Sequence, residues 1–296
     1  MGARFHITLY APSEAQAESA ARAAFERIAR LEDVLSDYMA DSELMRLTAA
    51  PVGTPVSISP DLFTVLERGM QFSAATAGAF DLTAGPLTRL WRFSRKRGVL
   101  PTPQELVAAR AAVDWRSVGL DETAQTATLT RSGTRLDAGG IAKGYAADEA
   151  LKVLNACGIP RALVAASGDV RAGEPPPGKP GWVVTIASPA PETAPPTLLL
   201  RNAAVSTSGD TEQFVEIEGV RYSHILNPLT GLGLTNRIQA TVIAPDATTS
   251  DALATACCVL GPERAIRLVE SIPRASVIVV TQEGPRSRIW RSQRAP

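Results

Sequence analysis

Apolar and polar positions alternate along "RFHITLYA" near the start of the chain, the period-two signature of a strand. The period then changes. Ala17, Ala21, Ala24, Ile28, Leu31 and Leu35 recur at helical spacing through "APSEAQAESAARAAFERIARLEDVLSDY", which predicts one long helix opened by a Ser13–Gln16 capping-box pair. A second helix is expected from "SPDLFTVLERGMQFSAAT", with Ser59 as cap and Pro60 in its first turn. A third is expected from "TPQELVAARAAV", where Thr102 and Glu105 have capping-box spacing. Between these last two, "AGAFDLTAGPLTRLW" is broken by glycine and proline, and a loop is expected.

From "ATLTRSGTRLDAGG" onward the pattern reads strand, turn, then helix through "AKGYAADEALKVLNACG". Short strands follow in "RALVAAS", "GWVVTIAS" and "TLLLRNAAVSTS". The proline-rich pieces between them, "EPPPGKPG" and "PAPETAPP", are expected to be hairpin loops. "IQATVIAP" predicts a strand that leads into a helix, "SDALATACCVLG", and "ASVIVVTQEG" with "RSRIW" predicts a closing hairpin. A theme of strand, loop, helix and strands occurs twice. It predicts an α+β fold, one domain of two related strand–helix–strand halves.

Composition narrows the classes. The chain has 296 residues, 45% of them hydrophobic and 20% charged, which is the profile of an ordinary globular protein. Lysine plus arginine and aspartate plus glutamate are both 30, so no overall field draws the chain to nucleic acid. Cys157, Cys257 and Cys258 lie in apolar stretches without metal or disulfide spacing and are expected to be buried thiols. No apolar run is long enough to span a bilayer.

Six stretches combine turns with groups that can do chemistry. In "SDALAT", Asp251 and Thr255 are four residues apart, so a helix puts a carboxylate and a hydroxyl on one face. That pair of hard oxygens suits Mg²⁺; it also fits an aspartate favoured by the helix dipole near a structural threonine. In "DAGGIAKGYAAD", Gly139 and Gly140 allow close backbone approach and the helix start offers amides to an anion. Lys143 there could neutralise phosphate oxygens or be a solvated lysine after a tight turn. "ASGDVRAG" and "STSGDTEQF" repeat small hydroxyl residues beside Ser-Gly-Asp, which suits close approach or plain turns. "YSHILNPLTGLGL" holds His224, one of only two histidines, in a loop where it could act as a general base. His6, inside the first strand, is expected to be structural. In "GAFD", Phe80 beside Asp81 could cover a flat ring or plug the core.

Taken in order, these stretches resemble the FAD:protein FMN transferase (ApbE-like) family. The resemblance runs along almost the whole chain. It is carried by "MGARFHITLYA", "LSDYMADSELMRL", "GAFDLTAGPLTRLW", "LDAGGIAKGYAAD", "VAASGDVRAG", "VSTSGD", "SHILNPLTG" and "APDATTSDALATACCVLG". It implies one domain over residues 1–296, mostly antiparallel sheets, and FAD in a cleft between the two halves. It implies Mg²⁺ held by the Gly140 carbonyl, Asp251 and Thr255. Met1, Tyr38, Ala79, Phe80, Asp81, Asp137, Lys143 and Ile225 would line the FAD site, with His224 as the candidate base and Asp251 as the other catalytic group.

The activity implied is transfer of FMN from FAD to a serine or threonine hydroxyl of an acceptor protein, with release of AMP. The acceptor expected is a redox protein of the membrane or envelope. The same residues would suit a Mg²⁺-dependent FAD pyrophosphatase, and a flavin carrier without turnover is the reading from another class. The resemblance also implies a bacterial periplasmic or envelope location, with Met1 at the family's first domain residue and an export leader upstream of it. Thr48 stands where the family often has asparagine, Asn227 where aspartate is usual, Gly233 where proline is usual, and Ser250 where alanine is common.

Overall fold

A computed structural model describes residues 3–186, 196–210, 214–284 and 286–296. Its centre is a seven-stranded sheet whose neighbours follow chain order: Phe5–Leu9, Ala162–Ala166, Asp169–Ala172, Ala203–Gly209, Ile238–Ala244, Ser276–Glu283 and Arg286–Arg291. Every neighbouring pair in it is antiparallel. The repeated theme is visible in this order. The helix Ala142–Ala156 precedes one hairpin of the sheet, and the helices Ala247–Leu260 and Pro262–Glu270 precede another. The fold is α+β, and one continuous sheet carries both halves.

Both faces of the sheet are covered. The Ala142–Ala156 and Ala247–Leu260 helices pack on each other and on one face. The long helix Glu14–Leu35 packs over Ala142–Ala156 through small residues, Ala20 and Ala24 against Ala147 and Ala150. On the other face, a separate hairpin of Trp182–Thr185 and Thr197–Leu200 lays Trp182, Leu198 and Leu200 against Val205, Ile278 and Val280. The strand Ile238–Ala244 is therefore buried on both sides, with Val242 in one core and Ile243 packed against the other, while Gln239 and Thr241 on the Ile243 side are buried polar groups. "EPPPGKPG" is a departure from expectation. It leaves the main sheet for this side hairpin and does not join neighbouring strands. Most of "PAPETAPP" lies outside the described residues.

The helix ends show which sequence signals were complete. Thr102 and Glu105 form both bonds of a capping box. Ser13 accepts from the Gln16 amide, but the Gln16 side chain turns away to donate to the Cys157 carbonyl at 3.3 Å. The expected loop at 77–91 contains the start of a helix, Gly85–Arg97. Pro86 sits in its first turn, where a missing amide costs nothing, and Leu87, Trp91 and Ser94 are buried at helical spacing. Two further helices, Glu43–Ala49 and Pro262–Glu270, carried no reading of their own. Cys257 and Cys258 are buried as expected; Cys157, just past a helix end, is exposed. Among the described residues no helix is long and apolar enough to cross a membrane.

Candidate active site

The chemistry-bearing motifs converge where the two central helices meet. Asp148, buried on the Ala142–Ala156 helix, accepts from the amides of Ala247 and Thr248 at 2.9 and 2.8 Å, and from the Thr248 hydroxyl. It thereby caps the neighbouring helix from outside it. One turn earlier, Gly144 faces the same helix so closely that a Cβ would lie 2.1 Å from the Ala247 carbonyl. Only glycine fits there. The close approach brings the Gly144 amide to the Asp251 carboxylate, at 3.0 Å from Oδ2.

Asp251 is only 1% exposed and sits in the second turn of its helix, Ala247–Leu260. Its other oxygen accepts from the Lys143 ammonium at 2.9 Å. Lys143 also lies 3.1 Å from Oδ2 of Asp169, itself 2% exposed, on the hairpin turn of "ASGDVRAG". Burial pulls the ammonium pKa down, but Asp251 and then Asp169 outweigh it and hold Lys143 above its ordinary value. Burial and the charge of Asp251 push the Asp169 carboxyl up to about 6, against the pull of Lys143. Two buried carboxylates thus share one ammonium. The anion bound at this helix start is Asp251 itself.

Beside this cluster opens a cavity of about 940 Å³, large enough for a dinucleotide-sized ligand. Tyr38, Ala79, Phe80, Asp81, Asp137, Gly140, Lys143, His224, Ile225 and Thr255 all line it. Asp251 stands behind Lys143 and is not part of the wall. Met1 lies outside the described residues. His6 is exposed on the first strand, paired across to Ala165.

Each wall segment is fixed locally. Asp81 Oδ1 accepts from the amide and hydroxyl of Thr83, at 2.8 and 2.7 Å, which sets the "GAFD" turn. Phe80 packs edge-on against Phe72 with ring centroids 6.3 Å apart, so it is at once core and wall. Asp137 accepts from the Gly139 amide at 2.8 Å, shaping the glycine turn. Trp91 Nε1 donates to the Ser223 carbonyl at 3.1 Å, and the Ser223 hydroxyl accepts from the Ile225 amide at 3.0 Å. These bonds pin both neighbours of His224.

The donor set fits a hard dication in kind. Asp251 and Thr255 lie one turn apart on the same helix. A Cβ on Gly140 would come within 3.4 Å of Thr255 Oγ1, so the glycine backbone and that hydroxyl adjoin. Each carboxylate oxygen can accept more than once, so the bonds to Lys143 and Gly144 do not exhaust Asp251.

Residue reading alone did not find Asp169, Asp37, Arg92 or Arg95, all of which line the cavity. Arg92 forms an ion pair with Asp37, lies 3.7 Å from Asp137, and stacks over the Tyr38 ring at 4.2 Å. The duplicated Ser-Gly-Asp was a signal for Asp169; the arginines sit just past the expected loop, in the helix that begins inside it. Among the departures from the family pattern, Thr48 accepts from the Leu136 amide at 3.3 Å and does not line the cavity. Asn227 caps its own turn by accepting from the Leu229 amide at 2.9 Å, and Ser250 bonds Ser206 at 2.7 Å.

Fold and site define an α+β protein in which a glycine turn, an ammonium and hard oxygen donors meet at one large cavity. The chain belongs to the ApbE family, whose profile matches residues 1–279. It is 33% identical to the FAD:protein FMN transferase of Treponema pallidum over 287 residues, covering 90% of this chain and 78% of that one. The flavin transferase ApbE of Vibrio cholerae superposes with a TM-score of 0.90 at 28% identity, over 99% of this chain and 94% of the other. The ApbE protein of Thermotoga maritima gives 0.88 at 30% identity, over 99% and 94%.

Proposed function

We propose that this protein transfers FMN from FAD to a serine or threonine hydroxyl of an acceptor protein and releases AMP, with Mg²⁺ as cofactor. The observation that carries the reading is the meeting of Lys143, Asp169, Thr255 and His224 in the wall of one cavity, with Asp251 bonded to Lys143 just behind it. The names of the relatives support the flavin-transfer class of the reaction.

In the transfer the acceptor oxygen forms a bond to the FMN-side phosphorus. The bond from that phosphorus to the bridging oxygen breaks, and AMP departs with the oxygen and its electron pair. Asp251, Thr255 and the Gly140 carbonyl would hold Mg²⁺, which when bound supplies positive charge to the diphosphate and the leaving group. Lys143 places a second positive charge at the same wall. Asp251 and Asp169 fix its position and keep it protonated. His224 takes the hydroxyl proton. Phe80 and Ile225 supply apolar surface that keeps water from the reacting oxygen.

His224→Ala is expected to lower the single-turnover transfer rate by about a hundredfold to ten-thousandfold, the usual worth of a placed base, while FAD affinity changes little. Unchanged transfer at saturating FAD would make His224 a binding residue instead. Thr255→Val is expected to be mild, because water can replace a neutral hydroxyl on the metal; a raised Mg²⁺ requirement at near-normal maximal rate is the expected result.

The deciding experiment is mass spectrometry of candidate envelope redox proteins after incubation with the protein, FAD and Mg²⁺. A mass gain of one FMN on a serine or threonine supports transfer. Equal FMN release with and without an acceptor would mean a pyrophosphatase, and FAD recovered intact would leave a carrier. The envelope location belongs to this proposal, since the acceptors it names lie there.

A further inference from the structure

The sequence carries no carboxylate between Asp81 and Glu105, yet Arg89, Arg92, Arg95, Lys96 and Arg97 all fall inside that interval. In a chain with equal numbers of acidic and basic residues, this is a marked local excess. The Gly85–Arg97 helix sorts these cations onto two adjoining stripes. Thr88, Trp91, Arg92 and Arg95 line the cavity. Arg89, Phe93, Lys96 and Arg97 face outward and are exposed, with Arg97 stacked 3.9 Å over the Phe93 ring.

The cations of the cavity wall differ in one respect. Lys143 is paired with Asp251 and Asp169, and Arg92 with Asp37 and Asp137. Arg95 has no carboxylate partner among the described residues, and its Nε is buried without a hydrogen bond. Burial lowers its pKa, Tyr38 opposes that, and Arg92 lowers it further. A guanidinium kept there without an anion is unfavourable, and an incoming carboxylate would relieve it. Arg95 lines the same cavity as Lys143, on the helix that also brings Arg92 to it. The unpaired charge therefore lies in the cavity wall with Tyr38, which is 69% exposed.

We infer that the Gly85–Arg97 helix is the docking surface for an acidic segment of the acceptor protein, with Arg95 taking a carboxylate close to the acceptor hydroxyl and Arg89, Lys96 and Arg97 holding its continuation. This rests on the transfer reading above for the identity of the occupant. Charge complementarity commits the surface to an acidic partner, because repulsion at Arg89, Arg95, Lys96 and Arg97 rejects a basic one. The exposed Phe93 adds an apolar contact to a surface that is otherwise polar.

The test uses fluorescein-labelled peptides with one threonine flanked by aspartates, and twins flanked by asparagines, titrated into the full chain by anisotropy. The acidic peptide is expected to bind roughly tenfold tighter than its twin at low salt. That preference should vanish near 1 M salt, where charges are screened beyond about 3 Å. Arg95→Gln and the double variant Lys96→Gln/Arg97→Gln should each weaken it several-fold, and the double variant should do so with FAD affinity and melting temperature unchanged. Lys96 and Arg97 are exposed, so the double variant tests the surface without touching the packing.

Equal binding of the two peptides overturns the inference. So does an Arg95→Gln variant that loses FAD affinity while keeping the peptide preference, which would assign Arg95 to the nucleotide. Binding to phosphatidylserine vesicles that needs the same cations, without any peptide preference, would make the surface a membrane contact and overturn it equally. FMN transfer to the peptide is scored separately: a kept preference without transfer supports the docking surface and counts against the transfer reading alone.

Discussion

Asp251→Ala is expected to lower FMN transfer by about a thousandfold, since several kcal/mol of charge stabilisation at the phosphate corresponds to that factor. The same change removes an acceptor from the buried Gly144 amide, which costs about 1–3 kcal/mol of stability. A loss of activity could then be blamed on the fold. Asp251→Asn narrows the question, because its amide oxygen can still accept from Gly144 while the negative charge is gone, although its NH2 then faces the Lys143 ammonium. The asparagine variant should melt above Asp251→Ala and remain inactive at millimolar Mg²⁺. Wild-type transfer by a folded Asp251→Asn protein would show that the metal is held elsewhere.

Lys143→Met is expected to be the most destabilising single change at the site, by about 3 kcal/mol, the lower end for breaking a buried pair. The lower end applies because the Lys143 side chain keeps 24% exposure to the cavity. Without the ammonium, Asp169 and Asp251 would face each other nearly uncompensated. Mg²⁺ at about a hundred times its dissociation constant would return up to roughly 2.7 kcal/mol by binding only the native state. Thermal melts with and without Mg²⁺ therefore give a signature: large rescue for Lys143→Met and none for Asp251→Ala. Equal melting temperatures for wild type and Lys143→Met would remove the argument that the two carboxylates need a cation between them.

What could be read from the sequence follows the range of the interaction. The Thr102–Glu105 box, the Ser59–Pro60 start and the Asp251–Thr255 face are local, and the structure has all three. Lys143 and His224 stood out from their own motifs, Tyr38 and Asp137 came through the family resemblance, and all four share one cavity. The helix Gly85–Arg97 was hidden because Gly85 and Pro86 weigh against a helix interior and yet suit its first turn. Asp169 was hidden for another reason. It is close to Lys143 only because a hairpin turn of the sheet packs under the helix start, a relation with no periodic trace. Asp148 looked like the tail of a glycine motif, and its role as a cap for a helix about 100 residues later depends wholly on tertiary packing.

The order of the central sheet has a consequence for how the chain is made. Phe5 pairs with Ala166 and Leu9 with Ala162, so the edge strand meets its sheet neighbour among the described residues about 160 residues after it is synthesised. At ordinary translation speeds of about 5–20 residues per second, that strand waits roughly 10 to 30 s before its partner exists. During the wait its backbone donors and acceptors are open to other chains, and closing so long a loop is slow. The alternation of Arg4, His6 and Thr8 on its exposed side, with Phe5, Ile7 and Leu9 only partly buried, keeps the waiting strand half polar. A strand destined to seal an edge late is thus guarded by its own composition until the rest of the sheet arrives.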